Sequence, residues 1–538
     1  MKRKWLGGIG ILTILSVCGY GCWKSGNAQE AECEQVIHLG AVLEENVSFP
    51  EGETVEDNQI LDRVQKDLGI RVVYDWIYST KEFERNIDMH IACDALPEAL
   101  MVGEAQYLQM LEYGQLQPVT ELYEQMVSDQ AKAFVESGGE EMLEAVWVDG
   151  EMMAIPFPNL TASGINVMWI RKDWLDELGL EPPRTIKEVI RAGELFTEHQ
   201  MGGEGTVGIL GPGIDEELTA VGKCCFGLTP LFSAFHAYPK YWLKDEEGNL
   251  IYGSVQKEVR EALKTLAELY KEGVLDQKIF LRQDVLEVLN EGKAGIFFGP
   301  WWAAERLEKD IIENKSEWQA YGAPLDEDGQ YICVMPPKVN QYLVIHQKCQ
   351  DPEAVIDILN YGINLEYGLR KEDNNINILA YPLGWEYDFA DELEYIWKEL
   401  DQVMQGEEQT SDFSGHKLIQ EDMDNLNLLN RFPYDHFGME DYQEGNNTCF
   451  IRLYGIINGV RPIADQEYLP VDNLFSGTTE TMKAKWKFLK NLEEQTYAKI
   501  ILGKEPIEAF DKFVDTWKEN GGLKIQEEVN AYYAGLEN

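Results

Sequence analysis

The chain has 538 residues, 44% hydrophobic and 11% aromatic, with 14 Trp, 25 Tyr and 20 Phe, a composition that excludes disorder and supports a large buried core. Its net charge of −49 excludes phosphate-rich partners, because such a surface repels a nucleic-acid backbone. At about 150 residues per domain the length allows three domains or two large lobes.

Lys2, Arg3 and Lys4 precede an apolar run from Leu6 to Val17. The run is too short to span a bilayer as a mature helix and suits the core of a signal peptide. Cys18-Gly19-Tyr20-Gly21-Cys22 follows, and the whole stretch resembles a bacterial lipoprotein signal. The resemblance implies removal of residues 1–21 and lipidation of Cys22, which follows the small Gly21. Cys18, directly after the bulky Val17, is the alternative. Residues 22–35 are polar and read as a tether.

Val36–Ala41 reads as a first strand. Residues 57–69 place Ile60, Leu61, Val64 and Leu68 on one helical face, and Gly69 stops the helix. A strand at Ile70–Tyr74, a helix over 80–91 and a strand at Glu98–Val102 follow. This alternation predicts right-handed βαβ units and a parallel sheet. Ligands gather beyond the carboxyl ends of such strands, which makes Glu44, Glu45 and Glu104 candidate ligand contacts; solvated loop charge is the competing reading. Asp149-Gly150 is a hairpin turn. Ile165–Ile170 is a strand, Lys172–Leu178 a helix closed by Gly179, and Thr185 with Glu188 forms a capping box. The apolar strand Gly295–Phe298 leads through Gly299-Pro300 to Trp301 and Trp302. The acidic stretch 386–424 is mixed with aromatics and reads as solvated helices.

Several of these segments together carry a family resemblance. The order DG…AIP, strand, RKDWLDELGLEPPRTIKE is similar to extracellular solute-binding proteins of ABC importers, the large family-1 or LipO-like lipoproteins of Gram-positive bacteria. DEEGNLIYGSVQKEVREALKTLAELYKEGVLD at 245–276, EGKAGIFFGPWW at 291–302 and the tail 496–533 match in the same order, as does DALPEALMV. The resemblance implies an α/β, two-lobe periplasmic-binding-protein-like (type II) fold, with hinge strands between the lobes and a helical C-terminal region. It implies a first lobe at 36–165, with Ile165–Ile170 as a crossing strand, and a second lobe at 166–335. Residues 336–538 would return to the first lobe and add the helical region. Many relatives carry an Asp-rich, calcium-type loop after the helix ending near Phe196. Here residues 197–206 lack the alternating oxygens that a shell of 6–8 ligands needs, so no metal and no cofactor are expected.

A binding cleft needs flat apolar surfaces and a few placed polar groups. Trp301 and Trp302 are adjacent, so both cannot point to one strand face, and at least one is a candidate for the cleft. Phe157, Asn159, Tyr241 and Trp242 lie near other turns expected to face it, where an aromatic plane can stack on a sugar ring. Trp169 and Trp174 are assigned to the core. The 7 His fall in no zinc spacing, and the cysteines beyond Cys22 are scattered, which favours buried thiols over a disulfide scaffold. No GxSxG, phosphate loop or dinucleotide fingerprint occurs, so no enzyme is expected. The expectation is a monomeric receptor, lipid-anchored on the extracellular face of the membrane. It would pass a small solute, a sugar or oligosaccharide, to an ABC permease. A ligand sensor without a transporter and a secreted glycoside hydrolase are the alternatives.

Overall fold

The computed structural model describes residues 35–43, 49–214, 216–219, 221, 225–372, 381, 388–406, 416, 419–427, 437–443 and 445–536. The chain opens with β1 (Gln35–Leu43), α1 (Gln59–Leu68), β2 (Ile70–Ser79), α2 (Thr80–Ala92), β3 (Ala99–Val102) and α3 (Glu104–Glu112). Local signals set these ends. Asn58 caps α1 by accepting the Ile60 and Leu61 N–H groups at 3.1 Å, and Gly69 closes it at φ 72°. Ser79 and Glu82 form a capping box at the start of α2. After α4 (Asp129–Ser137), a tight hairpin turns at Asp149 and Gly150, both at positive φ (52° and 85°), as a type I′ turn requires. The chain then enters β4 (Ile155–Pro158).

The second lobe contains β5 (Val167–Arg171), α5 (Ile186–Glu198), β6 (Val207–Ile209), α6 (Lys257–Glu272), β7 (Ala294–Gly299), α7 (Ala304–Asn314) and β8 (Trp318–Tyr321). The Thr185–Glu188 capping box starts α5 as expected, with Thr185 Oγ1 accepting the Glu188 N–H at 3.3 Å and Glu188 accepting the Thr185 N–H at 3.0 Å. Next come β9 (Tyr331–Val334), β10 (Val339–Ile345) and α8 (Pro352–Glu372). The later elements are α9 (Glu392–Met404), α10 (Ile419–Asn427), α11 (Asn447–Gly455), β11 (Tyr468–Val471), α12 (Glu480–Ile501), α13 (Glu508–Trp517) and α14 (Leu523–Leu536).

Two sheets organise these elements. The first-lobe sheet has the order β2-β1-β3-β10-β4, with β1, β2 and β3 parallel and β10 antiparallel to both its neighbours. The second-lobe sheet has the order β8-β5-β7-β6, with β6 and β7 parallel. β9 and β11 form a separate parallel pair. The molecule is a mixed α/β, two-lobe protein.

The second-lobe sheet is covered on both faces, which is why β5 is apolar from Val167 to Ile170, before Arg171 ends it. Side chains alternate across it. Trp169 and Phe297 join Ile396, Tyr454 and Ile457 in one core, while Met168, Ile170 and Phe298 join Phe196, Leu266 and Phe513 in the other. The helices after α8 therefore pack on the second lobe, and among the described residues of 336–538 it is β10, α8, Tyr381 and Phe389 that lie with the first. The acidic stretch 386–424 is helical at α9 and α10 but not simply solvated. Leu393, Ile396, Trp397, Leu400 and Met404 make α9 a core helix, and Asp422 is buried in a bidentate pair with Arg452 at 2.6 and 2.7 Å. The expected crossing strand at Ile165–Ile170 is also corrected. From Val167 onward that segment is a central strand of the second lobe, and the crossing itself is made by residues 159–166 with a helical turn at Thr161–Gly164. Cys333 and Cys349 are buried thiols and the Cys225 side chain is also buried, whereas Cys93 is exposed.

Candidate functional site

Two fully described passages join the lobes. Residues 159–166 run from β4 to β5, and residues 335–338 from β9 to β10. Asn159 ties them together, its backbone N–H donating to Lys338 O at 2.9 Å and its side-chain amide to Pro337 O at 2.6 Å. Gly164 faces the Pro336 ring so closely that a Cβ there would collide with it. A third segment, residues 472–479, runs from β11 to α12 beside the first lobe. Tyr241 donates to Met335 O at 2.6 Å, and the Trp242 N–H donates to Asn473 Oδ1 at 2.8 Å, so the second lobe holds this junction from below.

The sequence candidates divide at this junction. Cys22, Glu44 and Glu45 lie outside the described residues. Glu104 opens α3 at the end of β3; burial raises its carboxyl pKa, and a hydrogen bond with Ser476 of the third segment opposes that shift. Asn159 and Tyr241 are tied to the passages themselves. Two candidates are corrected. Phe157 is 2% exposed, because the alternation of β4 turns it into the first-lobe core. Trp242 is 2% exposed and packs among Tyr252, Phe475 and Trp486 at centroid distances of 5.2, 6.1 and 6.4 Å.

Trp301 and Trp302 diverge as adjacent residues must. Trp301 is 9% exposed, donates its indole N–H to Ser163 Oγ at 3.0 Å, and lies beneath the Arg452 guanidinium at 5.7 Å. Gly459 packs against it, and a Cβ there would sit 2.7 Å from Trp301 Cα. This tryptophan is therefore structural. Trp302 is half-buried and lines a cavity of about 320 Å³ at the carboxyl end of β6, with Phe226, Leu286 and Arg306.

A larger cavity, about 920 Å³, lies between the first lobe and the helices attached to the second. One wall is the outer flank of α3, with Gln106, Gln109 and Tyr113. The other is formed by Phe475, the start of α12 and the end of α14 at Tyr532. Phe475 and Tyr532 meet edge to face at 5.6 Å, and Tyr107 stacks on Tyr342 at 4.6 Å behind this wall. Lys483 reaches Glu480 at 2.8 Å and Glu112 of the first lobe at 3.8 Å, a pair that spans the two walls. Sequence reading missed this cavity. Its walls come from segments near 105–113, 475–483 and 528–532, which share no motif and meet through tertiary packing alone. Among the described residues no group of three or more His, Cys, Asp and Glu is placed to hold a metal ion, and no helix is long and apolar enough to cross a membrane.

Residues 52–367 match the family model described as bacterial extracellular solute-binding protein. The chain belongs to that family. Among curated relatives, it is 25% identical over 260 residues to a fructooligosaccharide ABC transporter substrate-binding protein of Streptococcus pneumoniae. That match covers 44% of this chain and 46% of the relative, so it spans less than half of that protein. The lipoprotein LipO of Bacillus subtilis is 20% identical over 548 residues, covering 99% of this chain and 98% of LipO. An HMO-binding, ABC-transporter-associated solute-binding protein from Bifidobacterium longum infantis superposes with a TM-score of 0.59 at 14% identity. That superposition covers 93% of this chain and 99% of the other, and at this identity it shows the two-lobe fold.

Proposed function

We propose that this solute-binding protein is a lipid-anchored receptor on the outer face of the cell membrane that captures an oligosaccharide between its lobes and delivers it to an ABC permease. The observation that carries the reading is the cavity of about 920 Å³ whose walls come from the first lobe and from the helices packed on the second. Such a space changes shape when lobes hinge. Hinge closure around a solute is the general motion of two-lobe binding proteins, and it is favoured only as far as the ligand binds the closed form better. The named activity of the streptococcal relative supports a glycan as ligand. The lipoprotein relative and the Cys22 signal support the anchor.

The test is a melting-temperature screen of the purified mature chain against fructo-, xylo-, manno- and malto-oligosaccharides, with product analysis on the same samples. A bound solute at 100 times its Kd stabilises the fold by about 2.7 kcal/mol. Reversible stabilisation by at least one glycan, without release of new reducing ends, is the expected result. Turnover of a glycan would replace the receptor by a hydrolase.

A further inference from the structure

We infer that the cavity between α3 and the α12–α14 helices takes an uncharged glycan and discriminates against glycans bearing carboxylates. This rests on the proposed solute-binding function and names the place and class of its ligand. Among the described residues the lining carries four carboxylates, Asp88, Glu112, Glu480 and Glu528, against one ammonium, Lys483. That ammonium is already engaged by Glu480 and Glu112, at 2.8 and 3.8 Å. No arginine belongs to the described lining, so the bidentate fork that recognises a carboxylate is lacking there. The net charge of −49 adds a repulsive field of the same sign.

The same walls suit sugar hydroxyls and ring faces. Carboxylate oxygens and the Gln106 and Gln109 amides accept hydrogen bonds from hydroxyls. Tyr113 and Tyr532, 46% and 45% exposed, present aromatic planes to the space between them. The volume, about 920 Å³, falls within the range of roughly 300–1,000 Å³ usual for ligand sites.

The experiment titrates the mature chain with neutral tri- and tetrasaccharides of the fructo, xylo, manno and malto series and with oligogalacturonate of the same lengths. Each is measured at 50 and 300 mM NaCl, on the wild type, Tyr113→Ala, Tyr532→Ala and the double variant Glu112→Gln/Glu480→Gln, with a melting curve for each protein. A neutral glycan should bind with an affinity unchanged by salt. Tyr532→Ala should weaken it roughly thirtyfold without early melting, as truncating an aromatic anchor does. Oligogalacturonate should bind at least about tenfold more weakly at 50 mM NaCl, and gain affinity in the double variant, where Lys483 is released. Preferential binding of oligogalacturonate by the wild type would overturn the inference. So would a neutral glycan whose affinity neither tyrosine variant changes, although the receptor function would then survive with its ligand elsewhere. If no glycan of either class binds, the receptor reading fails and takes this inference with it.

Discussion

Trp301 gives its indole N–H to Ser163 and is enclosed by Gly459 and Arg452, whereas Trp302, one residue on, faces a cavity beside Arg306. Truncating an enclosed tryptophan leaves a void its neighbours fill poorly, so Trp301→Ala should cost about 3–5 kcal/mol of stability. Trp302→Ala should cost less than about 1.5 kcal/mol, since that side chain is only partly buried and lines a cavity. Denaturant curves on the two variants check this; equal losses would mean that Trp302 is also core. Gly164 offers a backbone counterpart. A methyl group there meets the Pro336 ring, so Gly164→Ala should destabilise by about 1–3 kcal/mol through overpacking where the two passages touch. At this scale the sequence is informative about kind and silent about direction. Phe157, Trp242, Trp301 and Trp302 are all aromatics next to turns, and only strand alternation and the shape of the turn after Pro300 decide that three of them point inward.

Helix ends were legible because their causes are local. Gly69 and Gly179 stop helices by adopting the left-handed conformation, and Thr185 with Glu188 opens one, all within a few residues of sequence. What a helix packs against is not local, and α12 shows the consequence. Its Glu493 is 2% exposed against the second lobe and accepts the Tyr252 hydroxyl at 3.2 Å. Burial pushes the carboxyl up to about 7, opposed by Lys240 and by hydrogen bonds with Ser254 and Tyr252. A carboxyl whose folded pKa lies above its unfolded value binds more protons when folded. Stability from this group is therefore complete below about pH 4.5 and is lost as pH rises toward about 7. The loss should be on the order of 2–3 kcal/mol between those limits. Glu493→Gln removes the titration and keeps a polar side chain of the same shape. Its stability relative to wild type should rise by that amount between pH 5 and pH 8 in urea unfolding. A difference that stays constant with pH would show that Glu493 is ionised in the folded protein throughout. The comparison of the two proteins cancels Glu394, whose burial raises it to about 7 as well.

For the whole molecule, the two-lobe plan was legible because long collinear motifs carry the family resemblance. The seating of α9–α11 on the second lobe was not, since it depends on contacts between segments more than 100 residues apart, such as Trp318 with Tyr454 at 2.9 Å. The charge bears on where the molecule can reside. At −49 the body is repelled by anionic headgroups, and among the described residues no helix can cross a bilayer. Such a body offers no attraction to an anionic surface, which supports the proposal that a lipid on Cys22 holds the protein at the membrane. A single acyl chain holds a protein only marginally, whereas two or more hold it firmly, so loss of the modified cysteine should act as a switch and not as a gradual weakening. Cys22→Ala should appear in the culture medium or the soluble fraction, and added salt should not return it to the membrane, because screening weakens repulsion without creating attraction. Cys18→Ala should remain membrane-bound and incorporate labelled fatty acid as the wild type does. Release by Cys18→Ala with retention of Cys22→Ala would move the anchor to Cys18. Retention of both variants without incorporated fatty acid would remove the lipid anchor from the proposal and require a membrane-binding surface on a body whose charge argues against one.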